Sequence, residues 1–178
     1  YNRYLKKRLL KKVHFIFPVS DYTKELVNMM IDHKANFKPK VLVNGNGVDE
    51  SKFLQAKSGG KINCRLDLGI DADIFVILTV CDLLERKGVD MLIRGISRFK
   101  KDVKSSILHI IVGEGREKEK LHNLVSALDM SDSVKFVGQI KSDIELAKYF
   151  VSADVYSMLS KTIQLECATE GFGISYIE

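Results

Sequence analysis

Two carboxylates, Glu170 and Glu178, flank a Gly-Phe-Gly turn in the run Glu170-Gly-Phe-Gly-Ile-Ser-Tyr-Ile-Glu178. The run follows an apolar segment, Asp154-Val-Tyr-Ser-Met-Leu-Ser160, that reads as a buried strand. Gly171 and Gly173 remove side chains where a ligand would approach the backbone, with Phe172 between them. A helix opening near Gly173 would point unpaired N–H groups at that ligand, which suits an anion. At helical rise the two acids would stand roughly 10 Å apart. That span fits two hydroxyl-rich groups joined through a pyrophosphate. Glu-x7-Glu alone is common, and two solvated acids around a turn would explain it; Gly-Phe-Gly after a strand makes it specific.

A second chemical stretch is Glu85-Arg-Lys-Gly88, after the strongest apolar run in the chain, Ile74-Phe-Val-Ile-Leu-Thr-Val80. Arg86 or Lys87 there could hold a diphosphate leaving group, although a solvated loop before a helix reads the same. Gly113-Glu-Gly115 is two-thirds of a dinucleotide fingerprint, but Lys118 stands where the third glycine belongs, so a nicotinamide-dependent dehydrogenase fits poorly. His14, His33, His109 and His122 show no metal spacing, and His109, within a strand, reads as a satisfied core group. Cys64, Cys81 and Cys167 are an odd number without metal spacing, which favours a reducing compartment over a disulfide scaffold.

The elements that must position these residues follow from periodicity. Val13–Ser20 reads as a short strand, with Ser20 capping a helix that carries Leu26, Val27, Met30 and Ile31 at helical spacing. Val41–Val43 reads as another strand, and Asn44-Gly-Asn-Gly47 as a tight turn. Residues 51–73 are the least patterned, with a surface loop expected at Ser58-Gly-Gly-Lys61. Strand 74–80 leads to a helix from about Gly88, with Leu92, Ile96 and Phe99 on one stripe. Ile107–Val112 is the next strand. The helix after it repeats Leu121, Leu124, Val125 and Leu128. Val134–Val137 is a strand ending at Gly138, and a helix over about 142–152 turns Ile144, Ala147 and Val151 inward. Alternation of strands with helices of this kind implies an α/β fold with a doubly wound, mostly parallel sheet flanked by helices. In such sheets ligands bind beyond the carboxyl ends of the strands. The turns at 81–88, 113–116, 138–143 and 160–173 all follow strands and should share one rim.

Taken together, these segments resemble retaining group 1 (family 4) glycosyltransferases of the GT-B fold, over about Val13–Glu178. Glu170-Gly-Phe-Gly…Glu178 resembles the family's EGFG…E segment, Val80–Asp90 its VGR…KG-VD segment, and Gly113-Glu-Gly115 its turn after a strand. Phe136-Val-Gly-Gln-Ile140 is similar to its FxG loop; Tyr149, Ala153 and Asp154 match its mostly structural Y…AD segment. Val19–Thr23, and Asn46–Asp49 with Phe53, are similar to segments where the family's chain enters its C-terminal domain. The resemblance implies a Rossmann-like half of a GT-B fold, residues 13–178 being a donor-binding domain incomplete at its C-terminus. It implies that Glu170 orients the donor sugar, Glu178 holds the ribose, and Lys87 with the Gly171–Gly173 amides stabilises the departing diphosphate. Arg86, Gly113 and Phe172 would also belong to the donor site, and Gln139 and Ile140 would meet the base. It implies no metal and no cofactor besides the nucleotide-sugar donor. One position departs: Asp82 stands where the family has a diphosphate-binding arginine. Two unit charges at 4 Å interact by about 4 kcal/mol at an effective dielectric near 20, so the exchange opposes donor binding.

Apolar residues at 46% and charged residues at 29% are globular values. The net charge is +5, yet residues 1–12 alone carry six basic side chains and no acid. The remainder is therefore at −1, and the charge is no argument for nucleic acid. The basic head reads either as a linker helix or as a contact with an anionic membrane surface. No apolar run reaches membrane-spanning length. The expected location is cytoplasmic, with peripheral membrane contact as the head's other reading. The absence of an opening Met, and an ending inside an expected helix, suggest a fragment. Its parent would take a glycan or lipid-linked acceptor through a preceding domain, and the fragment alone would transfer nothing. Two rival functions remain: a catalytically degenerate nucleotide-sugar-binding or regulatory module, which Asp82 motivates, and a GT-B-like sugar-nucleotide epimerase.

Overall fold

The computed structural model describes residues 12–31, 38–102, 106–161 and 173–176. The chain divides into two compact units, one of residues 1–48 with 171–174, the other of residues 49–170 with 175–178. In the first unit, β1 (Phe15–Ile16) pairs in parallel with β2 (Lys40–Val41). Helix α1 (Asp21–Met30) follows β1 and starts in a reciprocal cap: Ser20 Oγ accepts from Thr23 N at 3.1 Å, and Thr23 Oγ1 accepts from Ser20 N at 3.0 Å. The expected tight turn at 44–47 is not formed. Neither Gly45 nor Gly47 takes a positive φ, and Asn44 N donates to Pro18 O instead. With a parallel partner the chain leaves β2 without reversing, so nothing demands a hairpin.

Among the described residues, the second unit holds a four-stranded, all-parallel sheet in the order β5-β4-β3-β6. Its strands are β3 (Phe75–Val80), β4 (Ile107–Val112), β5 (Val134–Gly138) and β6 (Val155–Tyr156). Helices α2 (Glu50–Leu68), α3 (Val89–Phe99), α4 (Lys118–Ala127) and α5 (Asp143–Ser152) cover its faces. Alternation along the strands explains the two layers. Ile107 and Ile111 pack with Val89, Ile93 and Ile96 of α3 and Leu121 and Val125 of α4. Val76, Leu78, Ile110 and Val112 face the other way, toward Ile70 beyond α2 and Tyr149 of α5. Strands buried on both faces read as continuous apolar runs, which is why β3 and β4 were plain in the sequence.

Four expectations fail in instructive ways. Residues 50–68 are helical, with a kink at Gly60 (φ 77°, ψ 158°) where a loop was expected. This helix docks through Arg65, which is 5% exposed. Its guanidinium donates to the carbonyls of Ser152 and Ala72 and to Asp154 Oδ2 at 2.7 Å. A helix anchored by a buried arginine shows no apolar stripe. Phe99 is exposed because α3 ends there; its inward face is Val89, Ile93 and Ile96. Ile144 is exposed in the first turn of α5, where Ala147 and Tyr149 turn inward. β6 is only two residues long, and Val155 is exposed, because the strand lies at the sheet edge.

Asp154, just before β6, ties this edge in place. Its carboxylate accepts from Val76 N at 2.7 Å and pairs with Arg65 and Lys61. Desolvation alone would raise its pKa; the bonds from Lys61, Val76 N and Arg65 outweigh that and hold it below the ordinary value. Its place in the structure is therefore architectural, in keeping with the mostly structural segment it matched.

Candidate active site at the carboxyl ends of the strands

Because all four strands run the same way, the turns after β3, β4 and β5 and the chain beyond β6 emerge at one end of the sheet. Backbone groups lace them together there. Cys81 N donates to Val112 O at 3.1 Å, Leu83 N to Glu114 O at 2.9 Å, and Glu117 N to Leu83 O at 3.0 Å. Gly113 N donates to Gly138 O at 2.8 Å, and Lys161 N to Arg86 O at 2.7 Å. The Leu83 side chain, fully buried in the α3/α4 layer, anchors the first of these turns from below.

Two glycines make the lacing possible. Gly88 has φ 65°, and a Cβ there would meet Leu159 O at 2.0 Å. Gly113 has φ 136°, and a Cβ there would meet Cys81 O at 1.9 Å. Neither conformation nor spacing admits an L side chain. The glycine-rich turns therefore exist first to let four loops close ranks.

Lys87 lies in the 3-10 turn Glu85–Lys87, directly before Gly88 and α3, and is 9% exposed. Arg86 is half-buried and Asp82 exposed. Glu85 and Asp90 each stand 3.8 Å from the ammonium of Lys161. Gln139 is exposed, whereas Ile140 packs against the layer formed by Ile70, Leu78 and Tyr149. Lys87, Arg86, Gly113, Gln139 and Ile140 thus share the loops at this end. Glu170, Gly171, Phe172 and Glu178 lie outside the described residues. Gly173 has φ 78°, and Ile174–Tyr176 forms a 3-10 turn where a helix was expected to open.

Ser175 supplies a link that the residue pattern did not reveal. The Tyr156 hydroxyl lies 2.6 Å from Ser175 Oγ and 3.3 Å from Val80 O. Val80 is the last residue of β3, and Ser175 sits between Glu170 and Glu178. One phenol therefore joins Ser175 to the strand end that carries the Lys87 turn. The only signal in the sequence was a tyrosine inside an apolar run, which reads as packing.

His109 corrects a further expectation. It is fully buried, with Nε2 at 2.9 Å from Thr79 Oγ1, but Nδ1 has no hydrogen-bond partner. It is a half-satisfied core group. Burial lowers its pKa to about 4, so the ring is neutral at physiological pH. Among the described residues no cluster of three or more His, Cys, Asp or Glu could hold a metal. No helix among them is long and apolar enough to cross a membrane.

The model of the family described as "Glycosyl transferases group 1" matches residues 62–178. This chain belongs to the group 1 glycosyltransferases. The group 1 match includes the whole laced end and the Glu170–Glu178 run. An O-antigen biosynthesis glycosyltransferase of Escherichia coli, WclY, is 31% identical over 133 residues, 75% of this chain and 33% of that protein. A GDP-mannose-dependent phosphatidylinositol monomannoside mannosyltransferase of Mycolicibacterium smegmatis is 33% identical over 133 residues, 74% and 34% of the two chains. The chain thus spans about a third of the length of these curated relatives. Among solved structures, sucrose-phosphate synthase from Thermosynechococcus elongatus superposes with a TM-score of 0.77 at 21% identity. That likeness covers 98% of this chain and 40% of the other, and identifies the fold as the Rossmann-like half of a GT-B glycosyltransferase.

Proposed function

We propose that the protein containing this chain transfers a sugar from a nucleotide-sugar donor to a glycan or lipid-linked acceptor with retention of anomeric configuration. In this reading the laced end of the sheet is the donor site. Lys87, with Arg86, takes the diphosphate; Glu170 orients the sugar and Glu178 the ribose; Gly113 and the Gly171–Gly173 amides approach the phosphates; Gln139 and Ile140 border the base. Charges aimed at the leaving group lower the barrier without a metal or a further cofactor. The acceptor is brought by a preceding domain, because transfer requires both reactants held in register across a cleft. Residues 13–178 are the donor-binding part, residues 1–12 a linker or a contact with anionic membrane at the cytoplasmic face. Residues 1–178 alone transfer nothing.

The observation that carries this reading is the Tyr156 bridge between Val80 O and Ser175 Oγ. It supports a position for Ser175, which lies between Glu170 and Glu178 in the chain, beside the strand end that leads to the Lys87 turn. The names of the two relatives support a glycan or lipid-linked acceptor, and that of the Mycolicibacterium smegmatis enzyme a GDP-mannose donor. The test is calorimetric titration of GDP, UDP and ADP into the protein and its Lys87→Gln variant, followed by NMR of the product anomer. One diphosphate should bind, roughly tenfold or more weaker in the variant, and the product should keep the donor's configuration. Equal binding by both proteins, or an inverted product, would sink the proposal.

Asp82 favours a second reading, a donor-binding module that no longer transfers. Its loop is the one that carries Lys87, and its carboxylate is exposed there. Absence of turnover in the natural protein together with turnover in Asp82→Arg would establish it. Product analysis with labelled donor would also separate transfer from epimerisation.

A further inference from the structure

Among the described residues two buried polar atoms lack a partner, Nδ1 of His109 and Oγ of Ser160, and His109 lies within the sheet itself. A buried ring nitrogen without a partner is costly, and leucine or isoleucine at the same point of β4 would avoid that cost. What the histidine adds is one donor. Thr79 Oγ1 donates its single proton to the carbonyl of Ser157 at 2.7 Å, since a carbonyl can only accept. Toward His109, at 2.9 Å, the same oxygen can then only accept. The proton therefore sits on Nε2, and Nδ1 keeps the lone pair that nothing in the core meets.

These three residues come from three adjacent strands or their ends. β6 pairs with β3 only at Val155 and Tyr156. Just beyond, Ser157 N donates to Leu78 O, and Ser157 O receives Thr79. The chain then crosses to the Lys87 turn, where Leu159 O lies against Gly88 and Lys161 N reaches Arg86 O. Ser157 is thus held by the sheet shortly before the strap supports the turn.

We propose that His109 is a positioning residue for the mouth: through Thr79 it fixes the Ser157 carbonyl and so sets where residues 157–161 brace Arg86–Gly88. The consequence for donor binding rests on the reading of that turn as the diphosphate site; the bracing itself does not.

The test uses the full-length protein. Nitrogen NMR of the His109 ring at neutral pH should show Nε2 protonated and Nδ1 bare; the opposite tautomer overturns the inference even if no variant folds. In Thr79→Val and His109→Leu the Lys161 amide should exchange about tenfold faster or more, relative to the Ile110 amide in β4. Thr79→Ser should restore it, and the double variant should exchange no faster than either single one. Unchanged Lys161 exchange in both single variants overturns the inference. The diphosphate Kd should rise by a similar factor while exchange rises. If exchange responds but no nucleoside diphosphate binds to any form, the bracing stands and the donor-site reading falls.

Discussion

The carbonyl oxygen of Leu159 occupies the space that a Cβ on Gly88 would need, at 2.0 Å. The turn holding Lys87 and the chain leaving β6 therefore touch backbone to backbone. A glycine in a loop usually signals a turn; here its missing side chain is the contact itself. The same holds for Gly113 against Cys81.

Gly88→Ala should consequently destabilise the protein by about 2 kcal/mol or more, since it combines a left-handed φ with a clash against backbone. Gly95→Ala, in α3 with nothing within 4 Å, is the control and should be neutral or stabilising by up to about 1 kcal/mol. Urea denaturation of both variants measures the difference. Equal stabilities would mean that the strap yields at no cost.

Asp82→Arg should tighten nucleoside diphosphate binding by about tenfold, because an exposed acid beside the Lys87 turn becomes a cation. Screening should erode that gain as salt rises. Calorimetry at low and high ionic strength reads both effects. An affinity that ignores the substitution would place Asp82 away from the bound diphosphate.

Stability should fall as the medium is acidified from about pH 6.5 toward 4. His109 is neutral in the folded state down to about 4, whereas the unfolded ring takes up its proton near 6.5. The unfolded state thus binds the extra proton across that window, and the loss approaches about 3 kcal/mol by its lower end. Asp154, held low, keeps its contribution throughout the window and loses it only below the ordinary carboxylate range. Denaturation curves from pH 7 to 4 should flatten over that interval in His109→Leu. A parallel slope in the variant would assign the acid sensitivity elsewhere.

In α2, Gly59→Ala should stabilise by about 0.5–1 kcal/mol, because the site is helical and open. Gly60→Ala should destabilise by a similar amount or more, since φ 77° with ψ 158° is accessible almost only to glycine. Thermal melts of the two variants should shift in opposite directions; a shared direction would mean that the kink is not held in solution.

What the sequence disclosed tracks how local its signal was. β3 and β4 announce themselves through continuous apolar runs, and α4 through Leu121, Leu124, Val125 and Leu128. The position of the Lys87 turn was legible because Glu85–Gly88 follows the strongest apolar run and opens the next helix. α2 was not legible: Ser58-Gly-Gly-Lys61 resembles a loop, and its dock on the sheet is an arginine whose partners, Ser152 and Asp154, lie 87 and 89 residues away. The Thr79–His109 bond spans 30 residues and the Tyr156–Ser175 contact 19, and neither leaves a periodic trace. β6 looked buried from its composition, because composition does not tell an edge strand from a central one.

The lacing of these loops bears on how such a protein can be re-engineered. Leu83 exchanges hydrogen bonds with Glu114 and Glu117, Gly113 with Gly138, and Lys161 with Arg86. Substitutions in one loop will therefore be epistatic with those in the next. If this end is the donor site proposed above, donor preference should transplant between relatives only as a matched cassette of all these segments, and a chimera that swaps any single loop should inherit the misfit before it inherits the specificity.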